Sequence, residues 1–261
     1  MALSAAIDVR PGELRPLVLG AAVLGFVVAG HTVIETARDA LFLTRLPAER
    51  LPLVYALLAA LSLGAGALST WSAGRFGRRA SLVASLIGSS FLLALLYARP
   101  TTPVVVFTLY LLSGVMGTVL TLQFWLMIGR LFTVAQGKRL FGPIASGGVL
   151  GAALGGGVAA LALRFLPAKE LILVGLGMFL TAGAVVGALP SGERPGEAAP
   201  ASGAFSWISD FGEIWGERYV GLVAVVTLFS TATVLLADYL FKASVAAALP
   251  KRPMIPAAAL P

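Results

Sequence analysis

Residues 17–43 read LVLGAAVLGFVVAGHTVIETARDALFL. The run from 17 to 37 is about as long as a bilayer is thick, since crossing about 30 Å of hydrocarbon takes roughly 20 mostly apolar residues. Working outward, similar runs occupy 51–71, 81–98, 103–128, 143–165, 168–189 and 219–241, making seven. No water is available inside a bilayer to satisfy backbone N–H and C=O groups. Runs of this length therefore span as helices, which satisfy their own backbone. The sequence predicts an all-α, polytopic membrane protein.

Composition agrees. Hydrophobic residues make up 58% of the 261 and charged residues 12%, against about 45–50% and 25% in soluble domains. There is no cysteine, which excludes disulfides, thiolate metal sites, iron–sulfur clusters and thioether haem attachment, and one histidine makes metal catalysis a poor expectation. No cofactor is expected. The net charge of +7 comes from short Lys and Arg clusters beside the spans rather than from a continuous basic stripe, so the expected partner is lipid, not nucleic acid.

The first apolar run is longer than a signal-peptide core and should be retained. With the amino terminus in the cytoplasm, eight basic residues fall inside: Arg10, Arg15, Arg75, Arg78, Arg79, Arg130, Lys138 and Arg139. Arg38, Arg45, Arg50, Arg99, Arg164 and Lys169 fall on the other side, giving a modest positive-inside bias. The expected location is a bacterial inner membrane.

The interval from Pro190 to Arg218 separates six closely spaced spans from one. Its first part, to Gly203, has a flexible-linker composition. In its second part Phe205, Ile208, Phe211, Ile214 and Trp215 recur at helical spacing against Ser206, Asp210, Glu213 and Glu217, as in an amphipathic helix. The expected organisation is a six-span unit over 1–189, a cytoplasmic linker over 190–218, and a further span with a proline-rich tail over 219–261.

His31, Glu35, Arg38 and Asp39 fall at i, i+4, i+7 and i+8 of the first run, on one helical stripe. Each ionisable group inside a span costs about 2.5–3.5 kcal/mol on insertion scales, and such groups face a bundle interior or an aqueous cavity. Arg38 suits a phosphate or carboxylate, which its guanidinium can bind bidentately. The bland alternative is that the helix leaves the membrane at Glu35, but Ala40-Leu41-Phe42-Leu43 resumes the apolar run. His31 alone reads more readily as a packing residue than as a proton relay. Asp238 and Lys242 form an i, i+4 pair near the end of the seventh run. That pair is either a solvated helix-end ion pair or the counterpart of Arg38 and Asp39 in an internal repeat, where matched positions line one site.

Thr70 to Arg79 carries a short basic turn that resembles the G-x-x-x-D-R-x-G-R-R loop of the major facilitator superfamily. Arg75, Gly77, Arg78 and Arg79 match, while Thr70 replaces the first glycine and Gly74 the aspartate. Further on come Phe124-Trp125, Arg130-Leu131-Phe132 and Gly137-Lys138-Arg139-Leu140-Phe141-Gly142-Pro143 before a glycine-rich span. This block, with Arg38-Asp39-Ala40-Leu41-Phe42-Leu43 and Asp238-Tyr239-Leu240-Phe241-Lys242, resembles the ATP/ADP translocase family, nucleotide exchangers of the major facilitator type. The departures are Gly129 and Arg130, where relatives carry a polar Asn/Asp-type pair, and Gln136, near which they carry an acid.

The resemblance implies a six-helix major-facilitator-type half bundle plus a seventh helix. It makes Glu35, Arg38, Asp39, Asp238 and Lys242 candidates for contact with an anionic substrate, a nucleotide among them. It also places Arg75, Arg78, Arg79, Lys138 and Arg139 at a cytoplasmic gate that attracts anions. Gly147, Gly151 and Gly155 repeat every four residues and form a helix-packing face; no G-x-x-x-x-G-K-[ST] phosphate loop occurs.

The expected function is a secondary transporter of an anionic, phosphate-bearing metabolite. The expectation is also of a truncated chain, inactive alone, that needs a second copy or a separately encoded half. The rival is a non-transporting membrane domain or scaffold subunit. An enzyme is not expected: no H-E-x-x-H occurs, and the sole histidine is far in sequence from any candidate nucleophile.

Overall fold

A computed structural model describes residues 9–189 and 218–248; the predicted linker, the amphipathic helix within it and the proline-rich tail lie outside the described residues. The described chain is helical, in the order α1 (Leu14–Arg45), α2 (Leu51–Phe76), α3 (Arg78–Tyr97), α4 (Pro103–Leu131), α5 (Val134–Ala162), α6 (Leu171–Ala188) and α7 (Arg218–Ala248). Short 3-10 turns, Ala48–Arg50 and Ala168–Glu170, follow Pro47 and Pro167. Together with these turns, seven helical segments are long and apolar enough to cross a membrane. The protein is an all-α, multi-pass integral membrane protein.

Local sequence sets most boundaries. Thr102 caps α4 by accepting a 3.3 Å hydrogen bond from the Val105 N–H, with Pro103 at the first helical position. Gly77, at φ +86°, makes the sharp turn between α2 and α3 in a conformation that disfavours a side chain. The bounds of two spans differ most from those that hydropathy indicates. α1 continues past residue 37 to Arg45, because its charges are accommodated by neighbouring groups rather than ending the helix. α5 starts at Val134, not at 143, because Thr133 and Gln136 form a reciprocal capping box, and Pro143 is carried inside the helix.

The chain divides into two compact units, Met1–Arg45 with Val54–Phe205, and Leu46–Leu53 with Ser206–Pro261. The division assigns the loop after α1 to the unit that contains α7, whereas the sequence groups it with the first six spans.

Within the first unit α1 is the central helix and packs on α5, α6 and α4, while α3 packs on α6 and α4. Ala21, Gly25 and Ala29 of α1 meet Gly147, Gly151 and Gly155 of α5 in the same order, so the two helices run parallel. A Cβ at Gly147 or Gly151 would collide with the carbonyl oxygen of Ala21 or Gly25, and one at Gly155 would lie 2.6 Å from that of Ala29. Lipid tails are as apolar as the side chains, so close backbone packing drives helix association in a bilayer. On another face of α1, Gly30 and Gly175 let α6 approach, with Phe179 seated against Gly30. The outer faces carry Leu68, Phe91, Val149 and Leu154, all exposed and suited to hydrocarbon.

Candidate functional site

Arg38 is buried with 7% of its surface exposed, although it sits about two turns from the end of α1. Its guanidinium is held on several sides. Nη1 donates to Ser113 Oγ at 3.0 Å, Nη2 donates to Glu35 Oε1 at 2.7 Å, and Nε lies 3.4 Å from Asp39 Oδ1. The Tyr110 ring lies beneath it, 4.2 Å from the guanidinium carbon to the ring centroid. Tyr110 is itself fully buried and held edge-on by Phe42 at 5.1 Å. Such a desolvated cation–π contact contributes about 2 kcal/mol or more.

α4 supplies the wall of this site. Ser113 donates to the Tyr110 carbonyl at 3.0 Å, which orients its oxygen toward Arg38. Gly117 leaves room for the His31 ring, because a Cβ there would lie 2.5 Å from Cε1 and 2.7 Å from Nε2. His31 Nε2 faces Glu35 Oε1 at 3.5 Å, and its Nδ1 is buried without a hydrogen-bond partner among the described residues. Glu35 Oε1 is thus shared between His31 and Arg38. The stripe His31, Glu35, Arg38 and Asp39 is one connected cluster, and Glu35 and Asp39 remain partly exposed, with 39% and 26% side-chain accessibility.

The second-unit pair is also formed. Lys242 Nζ donates to Asp238 Oδ2 at 2.8 Å on α7, with Lys242 buried and Asp238 more open.

The residues expected at a cytoplasmic gate gather at the other end of the first unit, where two of the five, Arg79 and Arg139, hold helix ends. Arg79 donates to the Leu189 carbonyl at 3.1 Å and the Gly187 carbonyl at 2.6 Å, and Arg15 reaches the Ala188 carbonyl at 3.5 Å. Two guanidiniums thereby satisfy carbonyls left open at the end of α6, where the helix dipole favours positive charge. Arg139 donates to Glu13 Oε1 at 3.1 Å, and Gln136 Nε2 donates to the same oxygen at 3.0 Å. The Glu13 carboxyl is held below its ordinary range by the Arg10 backbone N–H, then by Gln136 and by the positive charge of Arg139. Arg75 lies over the Phe76 ring at 5.9 Å, Arg78 opens α3, and Lys138 is exposed in the second turn of α5. Arg130 falls in the last turn of α4.

Sequence reasoning found the α1 stripe but missed Tyr110, Ser113 and Gly117. Their signal is the spacing i, i+3, i+7, which puts two polar groups and one gap on a single face of an apolar span. It also missed Ala21, Gly25 and Ala29, the partners of the α5 glycines. Comparison with known proteins finds no matching family model, curated protein or solved structure.

Proposed function

We propose that this protein is a secondary transporter of an anionic, phosphate-bearing metabolite, with Arg38 as the group that holds the anion. The observation that carries this reading is the state of the guanidinium. Ser113 and Tyr110 fix it from the buried side, and the edge it turns toward Glu35 is occupied by a partly exposed carboxylate. A carboxylate there fills the position a substrate oxygen would take. At an effective dielectric of about 20, opposite unit charges 4 Å apart attract by about 4 kcal/mol, so an incoming anion gains at Arg38 an attraction of the size that Glu35 gives up.

Nucleotide exchange by alternating access, as in the ATP/ADP translocases that the sequence resembles, is the specific form of this reading. Asp238 and Lys242 are the matching pair from the seventh span, and the bacterial inner membrane with a cytoplasmic amino terminus is the setting. The tethers of Arg79 and Arg139 at the opposite end are what a cytoplasmic gate would need to break.

The test is exchange of labelled anions, including ADP and inorganic phosphate, in proteoliposomes holding the full chain. Arg38→Ala should lower exchange by at least tenfold while insertion into the membrane is unchanged. Unchanged exchange would remove Arg38 from the site. If the wild-type protein exchanges no anion, the scaffold reading takes its place.

A further inference from the structure

At the end of the first unit away from Arg79 and Arg139, four helices leave a hollow between them. Leu41 of α1, Leu96 of α3, Val105 of α4 and Ile172 of α6 line it, together with Arg99 and Lys169. Ile172 is buried and the other three apolar side chains are partly buried, whereas Arg99 is exposed and Lys169 partly so. The hollow sits where spans begin and end. Tyr97 closes α3, Pro103 opens α4, and the turn Ala168–Glu170 leads into α6. This is the level at which hydrocarbon meets water, where tyrosine rings and basic side chains anchor spans.

The two cations are held differently. Lys169 Nζ donates to the Arg99 carbonyl at 3.2 Å and lies 4.9 Å from the centroid of the Tyr97 ring, which leaves two of its three N–H groups for another acceptor. The Arg99 guanidinium has no hydrogen-bond or ion-pair partner among the described residues. The neighbouring acid, Glu170, accepts from the Tyr97 hydroxyl at 2.8 Å. Two cations and one carboxylate leave the edge of the hollow positive. The amino-terminal ends of α4 and α6 lie at the same edge and add partial positive charge.

We propose that this hollow binds an anionic phospholipid of the leaflet at this end, with its phosphate between Arg99 and Lys169 and part of an acyl chain against Leu41, Leu96, Val105 and Ile172. The site is separate from the Arg38 cluster and does not depend on transport. A free phosphate would use the cations and leave the apolar floor wet. A zwitterionic lipid would cover the floor but bring a further cation to the two already there. An anionic phospholipid satisfies both parts: a guanidinium gives phosphate two parallel hydrogen bonds, and basic pockets between spans hold anionic head groups. Lys169 serves as a fixed point charge, because the Arg99 carbonyl and the Tyr97 ring keep its ammonium at the edge.

Native mass spectrometry of the full chain, titrated with phosphatidylglycerol or phosphatidylcholine, tests this through the dissociation constant of the first lipid bound. Wild type should prefer phosphatidylglycerol by about tenfold or more, since each cation contributes severalfold. Arg99→Gln/Lys169→Gln should lose that preference. Arg10→Gln/Arg164→Gln, which removes the same charge from two exposed residues that do not line the hollow, should keep it. Val105→Phe fills the floor without touching the charges, and should weaken phosphatidylglycerol binding severalfold. No preference in wild type would overturn the proposal, and so would a preference that survives Arg99→Gln/Lys169→Gln or falls equally in Arg10→Gln/Arg164→Gln. Unchanged binding in Val105→Phe, or binding of glycerol 3-phosphate as tight as that of phosphatidylglycerol, would make this a plain phosphate site and overturn the lipid assignment. Should the Arg99 and Lys169 double variant not fold, Val105→Phe and the glycerol 3-phosphate titration decide.

Discussion

Gly151 of α5 rests directly on the backbone of Gly25 of α1, so close that a Cβ on Gly151 would overlap the Gly25 carbonyl. Gly156, five residues further along α5 and on another face, has nothing within 4 Å of the position its Cβ would take. These two positions predict substitutions of opposite sign. Gly151→Ala should destabilise the protein by about 1–3 kcal/mol, the usual cost of overpacking, since a backbone neighbour cannot step aside. Gly156→Ala should be neutral or stabilise by up to about 1 kcal/mol through helix propensity. Unfolding titrations in mixed micelles measure both, and equal effects would contradict the packing of α1 on α5.

Gly117→Ala tests the seat of the histidine. The atoms that meet the new methyl belong to the movable His31 ring, so the protein should fold with a small loss of stability while the ring is pushed away from Glu35. The chain has one histidine, so its imidazole NMR signals are unambiguous. They should shift in Gly117→Ala and stay in place in Gly156→Ala.

Arg38 and Tyr110 should be energetically coupled. In a double-mutant cycle built from Arg38→Gln and Tyr110→Leu, the interaction energy should be about 1–2 kcal/mol, the range for a partly to fully desolvated cation–π pair. Additive effects would mean that the ring contributes only apolar packing.

The Glu13 tether predicts a pH dependence. Its carboxyl is held below the ordinary range in the folded protein, so the tether's contribution is full above the unfolded value of about 4.3. It is lost as pH falls through the lower folded value. Hydrogen-exchange protection at the start of α5, taken relative to the intrinsic amide rate at each pH, should therefore fall on acidification in wild type. In Glu13→Gln that protection should already be low at neutral pH and show no such dependence. A wild-type profile flat below pH of about 4 would rule the tether out.

The sequence alone determined the class of molecule. Seven runs of bilayer length leave helices as the fitting solution, and the spacing of His31, Glu35, Arg38 and Asp39 puts them on one stripe whatever surrounds them, because both follow from rise and period along one chain. The glycine repeat in α5 was legible in the same way. The tertiary structure decided what each stripe meets: Ala21, Gly25 and Ala29 opposite the glycines, Tyr110 and Ser113 against Arg38, and the end of α6 beneath Arg79. Hydropathy could not separate these pairings, since every span is apolar on every side that lipid or another helix can cover. Contacts between helices depend on where gaps and polar groups of distant segments coincide in space. That coincidence gave Arg79 and Arg139, gate candidates from the sequence, their bonds to the end of α6 and to Glu13, and made Glu35 the shared partner of His31 and Arg38.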